Sequence, residues 1–160
     1  MAKQQTIIKS VSLKGVGIHS GNEVNLTFKP AEDNFGYAFC RIDMPDKPII
    51  EADINYVVNT KRGTTLEKNG INIQTSEHDL AALVGLEIDN VLIELDASEP
   101  PIMDGSSKFF VEALIKAGIK EQSEDRVEYI VKDVISYYDE DSGSDISVIP
   151  SKFYEVTTMV

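Results

Sequence analysis

Alternation of apolar and polar residues runs through the N-terminal part of the chain and predicts antiparallel strands. "TIIKSVSLKG" alternates like a half-buried strand, and "NEVNLTFKP" places Val24, Leu26 and Phe28 on one face. "YAFCRIDM" and "IIEADINYVV" are predicted as further strands separated by "PDKP". "TTLEKNGINIQ" is predicted to be a hairpin, because Asn69-Gly70 suits a type I′ turn.

The period becomes helical after this hairpin, in "TSEHDLAALVG". Ser76 and Asp79 form an S-x-x-D capping-box pattern, which predicts a helix start, and Gly85 is expected to end the helix. The apolar residues between them recur at helical spacing: Leu80, Ala81, Leu83 and Val84. "NVLIELD" lacks alternation and is predicted to be a strand buried on both faces.

A second helix is predicted after the loop "SEPPIMDGSS". Asp104 or Ser106 is expected to cap this helix, "SKFFVEALIKAG", and Gly118 is expected to end it.

The polar segment "KEQSEDR", residues 120–126, is predicted to be a linker. After it, "VEYIVKDVISYY", "ISVIP" and "FYEVTTMV" indicate strands around a "DEDSGSD" turn. The chain stops on these strands without a helix to cover them. Residues 127–160 are therefore interpreted as the first strands of an incomplete second domain, and we expect them to order poorly.

Composition excludes several classes of protein. The 160 residues carry a net charge of −12, which argues against a general nucleic-acid binder, because phosphate attraction needs a basic face. No apolar run reaches the roughly 18 residues of a membrane span, and the N-terminus lacks the apolar core of a signal peptide. The lone Cys40 cannot form an internal disulfide. These features favour a cytoplasmic protein.

Glu77 and His78 stand side by side in the first turn of the predicted helix. The positive end of the helix dipole favours an ionised glutamate and a neutral imidazole. A neutral imidazole can ligate a metal, and an ionised carboxylate can act as a general base toward a metal-bound water. The pair alone also fits an ordinary first-turn glutamate followed by a surface histidine. That arrangement is commoner than a metal site.

Two further places invite a ligand. His19 lies in the glycine-rich "GVGIHSG", where a backbone can approach a ligand closely, although a plain hairpin histidine fits the pattern as well. Lys61 and Arg62 could meet an anionic group of a substrate or simply be solvated.

Four stretches, taken in order and at their spacing, resemble the UDP-3-O-acyl-N-acetylglucosamine deacetylase family, the zinc enzymes of the committed step of lipid A synthesis. They are "GVGIHSG", "ADINYVVNTKRGTTL", "TSEHDLAALVGLEIDNVLIEL" and "PPIMDGSSKFFVEALIKAGI". The resemblance covers residues 4–126 and continues more thinly to 160. The sequence of these stretches is most similar to Bacteroidetes-type members, in which the deacetylase is often fused to a 3-hydroxyacyl-carrier-protein dehydratase.

The resemblance implies an α+β fold of two similar domains, each with a β-sheet and two helices. The first domain is then a two-layer sandwich of β-sheet and helices over residues 1–122. The resemblance also implies a Zn²⁺ ion that activates a water to release acetate from a UDP-linked acylated amino sugar. His78 matches a zinc ligand and Glu77 the general base. Asp104 matches an aspartate that supports the site loop. The positions that match substrate-binding elements are His19, Thr60, Lys61, Arg62, Gly63 and Thr64.

The chain departs from the family pattern in three respects. Asp79 stands where the family usually has an apolar residue, and Lys61, Arg62 and Gly63 replace a more apolar stretch. The remaining zinc ligands of the family, a histidine and an aspartate, come from a second-domain helix, and this chain has no histidine after His78. The resemblance therefore implies an N-terminal portion that lacks the rest of its second domain and is inactive alone. The alternative is a non-catalytic module that associates with a partner.

Overall fold

The computed structural model describes residues 2–159, which form two compact units, Met1–Arg126 and Val127–Val160. The elements of the first unit are β1 Lys3–Ile7, β2 Val11–Val16, β3 Glu23–Pro30, β4 Tyr37–Arg41, β5 Ile49–Glu51, a 3-10 turn Ile54–Tyr56, β6 Val57–Asn59, β7 Thr65–Lys68, β8 Ile71–Ile73, α1 Glu77–Gly85, β9 Val91–Leu95, α2 Lys108–Ala117 and β10 Ile119–Asp125. Several small sheets and two helices confirm the predicted α+β class. Neither helix is long and apolar enough to cross a membrane.

A five-stranded sheet in the order β2-β3-β9-β4-β5 forms the centre of the first unit. Its pairs are antiparallel except β4 with β9, which run parallel. One face of the sheet supplies much of the core: Val24, Leu26, Phe28, Phe39, Ile50, Val91, Ile93 and Leu95 are fully or almost fully buried. Phe110 of α2 packs edge-on against Phe28, with ring centroids 6.3 Å apart, so α2 covers this face.

The prediction that β9 is buried on both faces is wrong. Val91, Ile93 and Leu95 are buried, but Leu92 and Glu94 between them are only half-buried. Glu94 pairs with Lys29 of β3 at 2.8 Å on the uncovered face of the sheet. Helices cover only one face, so the strand alternates in burial although its sequence hardly alternates.

Two predicted strands are divided in the structure. The run of residues 6–15 separates into β1, which pairs with β10, and β2, which pairs with β3. The run of residues 49–58 is broken where the carboxylate of Asp53 accepts a hydrogen bond from the Asn55 amide (2.8 Å) and starts the 3-10 turn.

The predicted Asn69-Gly70 hairpin is confirmed. Strands β7 and β8 pair antiparallel up to Lys68 and Ile71. The φ angles of Asn69 and Gly70 are 53° and 77°, as a type I′ turn requires at both central positions.

The two helices end where the sequence predicts, but their caps differ. Ser76 occupies the N-cap of α1 without a capping hydrogen bond, and Asp79 is buried on the face that also buries Ala82 and Leu83. The predicted capping box is therefore wrong, because Asp79 points into the protein. The N-cap of α2 is Ser107, also without a side-chain cap.

The interpretation of residues 120–126 as a linker is also wrong, because residues 119–125 form β10 and pair antiparallel with β1. Its polar residues have protein partners rather than only solvent. The buried Asn90 amide donates to Gln4 and to Gln122, each at 2.8 Å, and Gln122 donates to the Ala31 carbonyl at 3.0 Å. A strand whose side chains hydrogen-bond this way reads as polar in the sequence.

The second unit contains one antiparallel hairpin, β11 Ile135–Asp139 with β12 Ser144–Val148. The acidic turn between them lies where the sequence predicts it. No strand forms in residues 127–134 or 149–159, so the prediction for "FYEVTTMV" is wrong. Within this unit the hairpin has no third strand to extend it. Many large apolar side chains are exposed, among them Val127, Tyr129, Ile130, Tyr137, Ile146, Phe153 and Tyr154.

Candidate functional site

Glu77 is the first residue of α1, and its carboxylate is held by the preceding loop. One carboxylate oxygen, Oε2, accepts a hydrogen bond from the backbone amide of Thr64 at 2.9 Å. A Cβ atom on Gly63 would lie 3.5 Å from the other oxygen, so the loop backbone approaches this side chain closely. The Thr64 amide therefore orients this carboxylate at the N-terminal end of the helix.

His78 follows Glu77 in the same turn and is half-buried. Its imidazole forms no hydrogen bond or ion pair with any residue in 2–159. Neither ring nitrogen is therefore taken up by a hydrogen bond within the described chain.

His19 lies in the exposed turn between β2 and β3 and reaches the loop that contacts Glu77. Its Nε2 atom is 3.2 Å from the carbonyl oxygen of Arg62. The structure thus brings together His19, the backbone of residues 62–64 and Glu77, three parts of the predicted site that are far apart in the sequence.

Thr60, Lys61 and Arg62 form the exposed part of this loop. The amide of Lys61 donates to Asn59 Oδ1 at 2.9 Å, which shapes the turn. Neither Lys61 nor Arg62 has an ion-pair partner in the part of the chain that the structure describes. Both charges are therefore open to an anion.

Asp104 lies apart from these residues, in the exposed loop before α2. Its carboxylate accepts hydrogen bonds from the amide and hydroxyl of Ser106, at 3.0 and 2.7 Å, and these bonds lower the pKa of Asp104. The Ser106 hydroxyl in turn accepts from the Lys108 amide at 3.3 Å. Asp104 therefore shapes its own loop, and within residues 2–159 its side chain forms no hydrogen bond or ion pair with the other predicted site residues.

Glu99 is the residue that sequence reasoning missed. It is 1% exposed, and its carboxylate accepts hydrogen bonds from the amides of His19 (3.1 Å) and Ser20 (2.9 Å) and from the hydroxyl of Thr75 (3.1 Å). Burial alone would raise the pKa of Glu99, but these donors outweigh it and hold the pKa below its ordinary value. The only signal in the sequence is a lone acid before two prolines.

A Cβ atom on Gly17 would lie 2.4 Å from Oε2 of Glu99 and 2.4 Å from the hydroxyl of Ser20. Only glycine therefore leaves room for the carboxylate beneath the turn. This close approach explains why a glycine stands at one position of "GVGIHSG", Gly17.

Asp79 differs from its two neighbours in the helix. It is 0% exposed, and neither carboxylate oxygen has a hydrogen-bond partner among the described residues. Burial raises the pKa of Asp79 well above its ordinary value. Asp79 therefore lies in the core and not with the groups around Glu77.

The described residues do not by themselves form a complete zinc site. No group of three or more His, Cys, Asp or Glu side chains converges in residues 2–159. A catalytic zinc normally has three protein ligands. This chain offers the imidazole of His78 with the carboxylate of Glu77 beside it, so further ligands would have to come from other residues.

Comparisons with known proteins identify the family of this chain. The family model described as "LpxC: UDP-3-O-acyl N-acetylglycosamine deacetylase" matches residues 4–160. The bifunctional enzyme LpxC/FabZ of Chlorobaculum tepidum is 45% identical over 157 residues, which are 98% of this chain and 34% of that protein. The bifunctional enzyme LpxC/FabZ of Bacteroides thetaiotaomicron is 43% identical over 160 residues, 100% of this chain and 35% of that protein.

A third relative supports the same family. The UDP-3-O-acyl-N-acetylglucosamine deacetylase of Geotalea uraniireducens is 41% identical over 157 residues, which are 98% of this chain and 50% of that protein. The chain therefore spans between about a third and a half of the length of these curated relatives. Because the family model matches almost every residue, this chain belongs to the UDP-3-O-acyl-N-acetylglucosamine deacetylase family.

Proposed function

We propose that this chain is the N-terminal part of a zinc-dependent amide hydrolase that removes the N-acetyl group from UDP-3-O-acyl-N-acetylglucosamine, the committed step of lipid A synthesis. The observation that carries the proposal is the arrangement at the start of α1. There Glu77 is held by the Thr64 amide at 2.9 Å, and His78 beside it has no partner in the described chain.

The reaction is the hydrolysis of an amide. A water oxygen bonds to the acetyl carbonyl carbon, the C–N bond breaks, and acetate and a free amine leave. Glu77 is the general base that takes the proton of the attacking water, and a proton must finally reach the leaving amine. Zinc, when bound, supplies a Lewis acid that lowers the pKa of water. His78 is its one ligand from this chain.

The remaining residues are assigned to the substrate. Lys61 and Arg62 are proposed to bind an anionic group of the substrate, such as the UDP diphosphate. Neither charge has an ion-pair partner in residues 2–159. His19, Thr60, Gly63 and Thr64 complete the wall of the site, and Asp104 supports its own loop.

The longer protein is proposed to act in the cytoplasm. Since two relatives are named bifunctional LpxC/FabZ enzymes, a second enzymatic domain can follow in the full gene.

The first test is zinc binding by the purified 160-residue chain, measured as stoichiometry and affinity by metal analysis after dialysis. We expect weak binding that is lost in His78→Ala and kept in His19→Ala, which removes the other histidine. Binding that does not depend on His78 would contradict its assignment as a ligand.

The second test is deacetylation of the UDP-linked substrate. The chain alone is expected to show no activity above a Glu77→Ala control, because its described residues hold no three-ligand site. Activity above that control would overturn the expectation of inactivity. In the longer protein the same Glu77→Ala change should abolish turnover.

The same absence of a three-ligand group favours one alternative, a non-catalytic module that associates with a partner. The downstream DNA discriminates between the two functions. A reading frame that continues into a helix with an H-x-x-x-D pattern would remove the alternative, and a stop codon directly after Val160 would support it.

A further inference from the structure

Glu99 lies in the loop after β9, buried beneath the turn that carries His19, and no assigned role of the site uses it. Its two carboxylate oxygens take three donors from two other segments of the chain. The amides of His19 and Ser20 come from the turn between β2 and β3, and the hydroxyl of Thr75 comes from the residue just before the N-cap of α1.

We propose that Glu99 is a positioning residue that ties the His19 turn to the start of α1 and thereby holds the loop of residues 62–64 against Glu77. The inference rests on the proposed role of Glu77 as the base. It assigns to Glu99 no contact with substrate or metal.

Three sets of contacts connect Glu99 with Glu77. On one side, the His19 turn fixed by Glu99 reaches the loop through its ring, 3.2 Å from the Arg62 carbonyl. On the other side, the Thr75 hydroxyl that donates to Glu99 lies 3.3 Å from the place a Cβ on Gly63 would occupy. The next residue along the loop, Thr64, donates its amide to Glu77 at 2.9 Å.

The charge of Glu99 suits this task. Hydrogen bonds to an ionised acceptor are stronger than neutral ones, and a single carboxylate can accept several. A glutamine has one acceptor oxygen and one amide group that can only donate. Glutamine is also neutral, so its bonds to the His19 and Ser20 amides are weaker than those of the carboxylate. Its amide group can meet the Thr75 hydroxyl only as a donor. Glu99→Gln should therefore weaken the tie between the two segments.

The test is residue-specific amide hydrogen exchange by NMR on the 160-residue chain, without zinc or substrate. For Glu99→Gln we expect exchange at Ser20 and at Thr64 to accelerate at least about tenfold, which corresponds to about 1.4 kcal/mol in each local opening. Exchange at Ile93, in the middle of β9, should change little. The matched control is Glu112→Gln, which removes one negative charge from an exposed residue of α2 that has no partner in the described chain.

A second pair of variants protects the test against a Glu99 variant that fails to fold. Thr75→Val keeps the shape of the side chain and loses the hydroxyl, whereas Thr75→Ser keeps the hydroxyl. Thr64 exchange should accelerate in Thr75→Val and return toward the wild-type rate in Thr75→Ser. If Thr75 contributed only to global stability, the two variants would not differ in the exchange rate at Thr64 while both kept the wild-type rate at Ile93.

The outcomes are decisive in either direction. Faster exchange at Ser20 with an unchanged rate at Thr64 would show that Glu99 holds only its own turn, and it would overturn the proposal. If Glu99→Gln accelerates exchange everywhere, the Thr75 pair decides, and equal Thr64 rates in Val and Ser would overturn it. The exchange experiment measures no turnover, so its result does not depend on whether the chain deacetylates the substrate. The proposed function is tested separately by the deacetylation assay.

Discussion

Replacing Asp79 with leucine should stabilise the folded chain. The side chain of Asp79 is 0% exposed, shares its helix face with Ala82 and Leu83, and has no hydrogen-bond partner for either oxygen among residues 2–159. A buried polar group without a partner costs about 1–3 kcal/mol. Full burial of a leucine side chain contributes about 1.5–3 kcal/mol, and overpacking by its slightly larger volume offsets about 1–3 kcal/mol. The net gain for Asp79→Leu is therefore about 2 kcal/mol in the free energy of unfolding.

The assay is equilibrium unfolding in urea, followed by circular dichroism, with a chelator present so that metal binding at His78 does not contribute. The midpoint should rise at an unchanged slope, since only stability changes. Asp79→Asn is the matched control, because it removes the ionisable carboxyl group but leaves a buried amide without a partner. Its gain should stay below that of leucine. A loss of stability in Asp79→Leu at unchanged slope would refute the reasoning, because it would mean that the carboxylate makes favourable contacts.

Three further predictions concern other parts of the first unit. Burial raises the pKa of Tyr37 to about 12, so the folded state keeps this proton longer than the unfolded chain and stability should fall as the pH rises from about 10 toward 12; Tyr37→Phe should make that slope shallower in alkaline urea titrations, and an unchanged slope would contradict the reasoning. Gly118→Ala should lower the unfolding free energy by about 1–2 kcal/mol, because φ is +74° and the new Cβ would lie 2.9 Å from Ile8 Cδ1; thermal unfolding beside wild type measures this, and an unchanged midpoint would contradict it. A chain ending at Arg126 should retain a cooperative unfolding transition, since the first unit contains its own core; loss of the transition in calorimetry would count against it.

The helices and the tight hairpin could be predicted from the sequence because their signals are local. Gly85 and Gly118 follow apolar residues at helical spacing, and Asn69-Gly70 permits the two positive φ angles of its turn. Each of these features depends on residues within a few positions of one another. The structure therefore agrees with the pattern at these points.

Three of the errors have a different origin, since they depend on partners far away in the chain. The polar β10 became a strand only because β1 pairs with it and because Asn90 hydrogen-bonds to Gln122. Asp79 fits a capping pattern, and nothing in its neighbouring letters shows that it turns inward. Burial on one face of β9 depends on where the helices pack.

The candidate site divides in the same way. Glu77 and His78 attract attention as a local pair, and family resemblance adds the loop of residues 60–64. Glu99 could not be recognised from the sequence, because its role depends on hydrogen bonds from three donors that are 24 or more positions away. A single acid before two prolines carries no trace of that.

The pairing of β1 with β10 joins residues Lys3 and Asp125, which lie at opposite ends of the first unit. During synthesis the ribosome releases the first of these strands long before the second exists. The N-terminal strand therefore lacks its pairing strand until almost the whole unit has been synthesised. Contacts of such long range close late and slow the approach to the native state. The pairing of β1 with β10 is thus the final step in forming this unit. A ribosome that pauses before residue 125 would leave β1 without the strand that pairs with it.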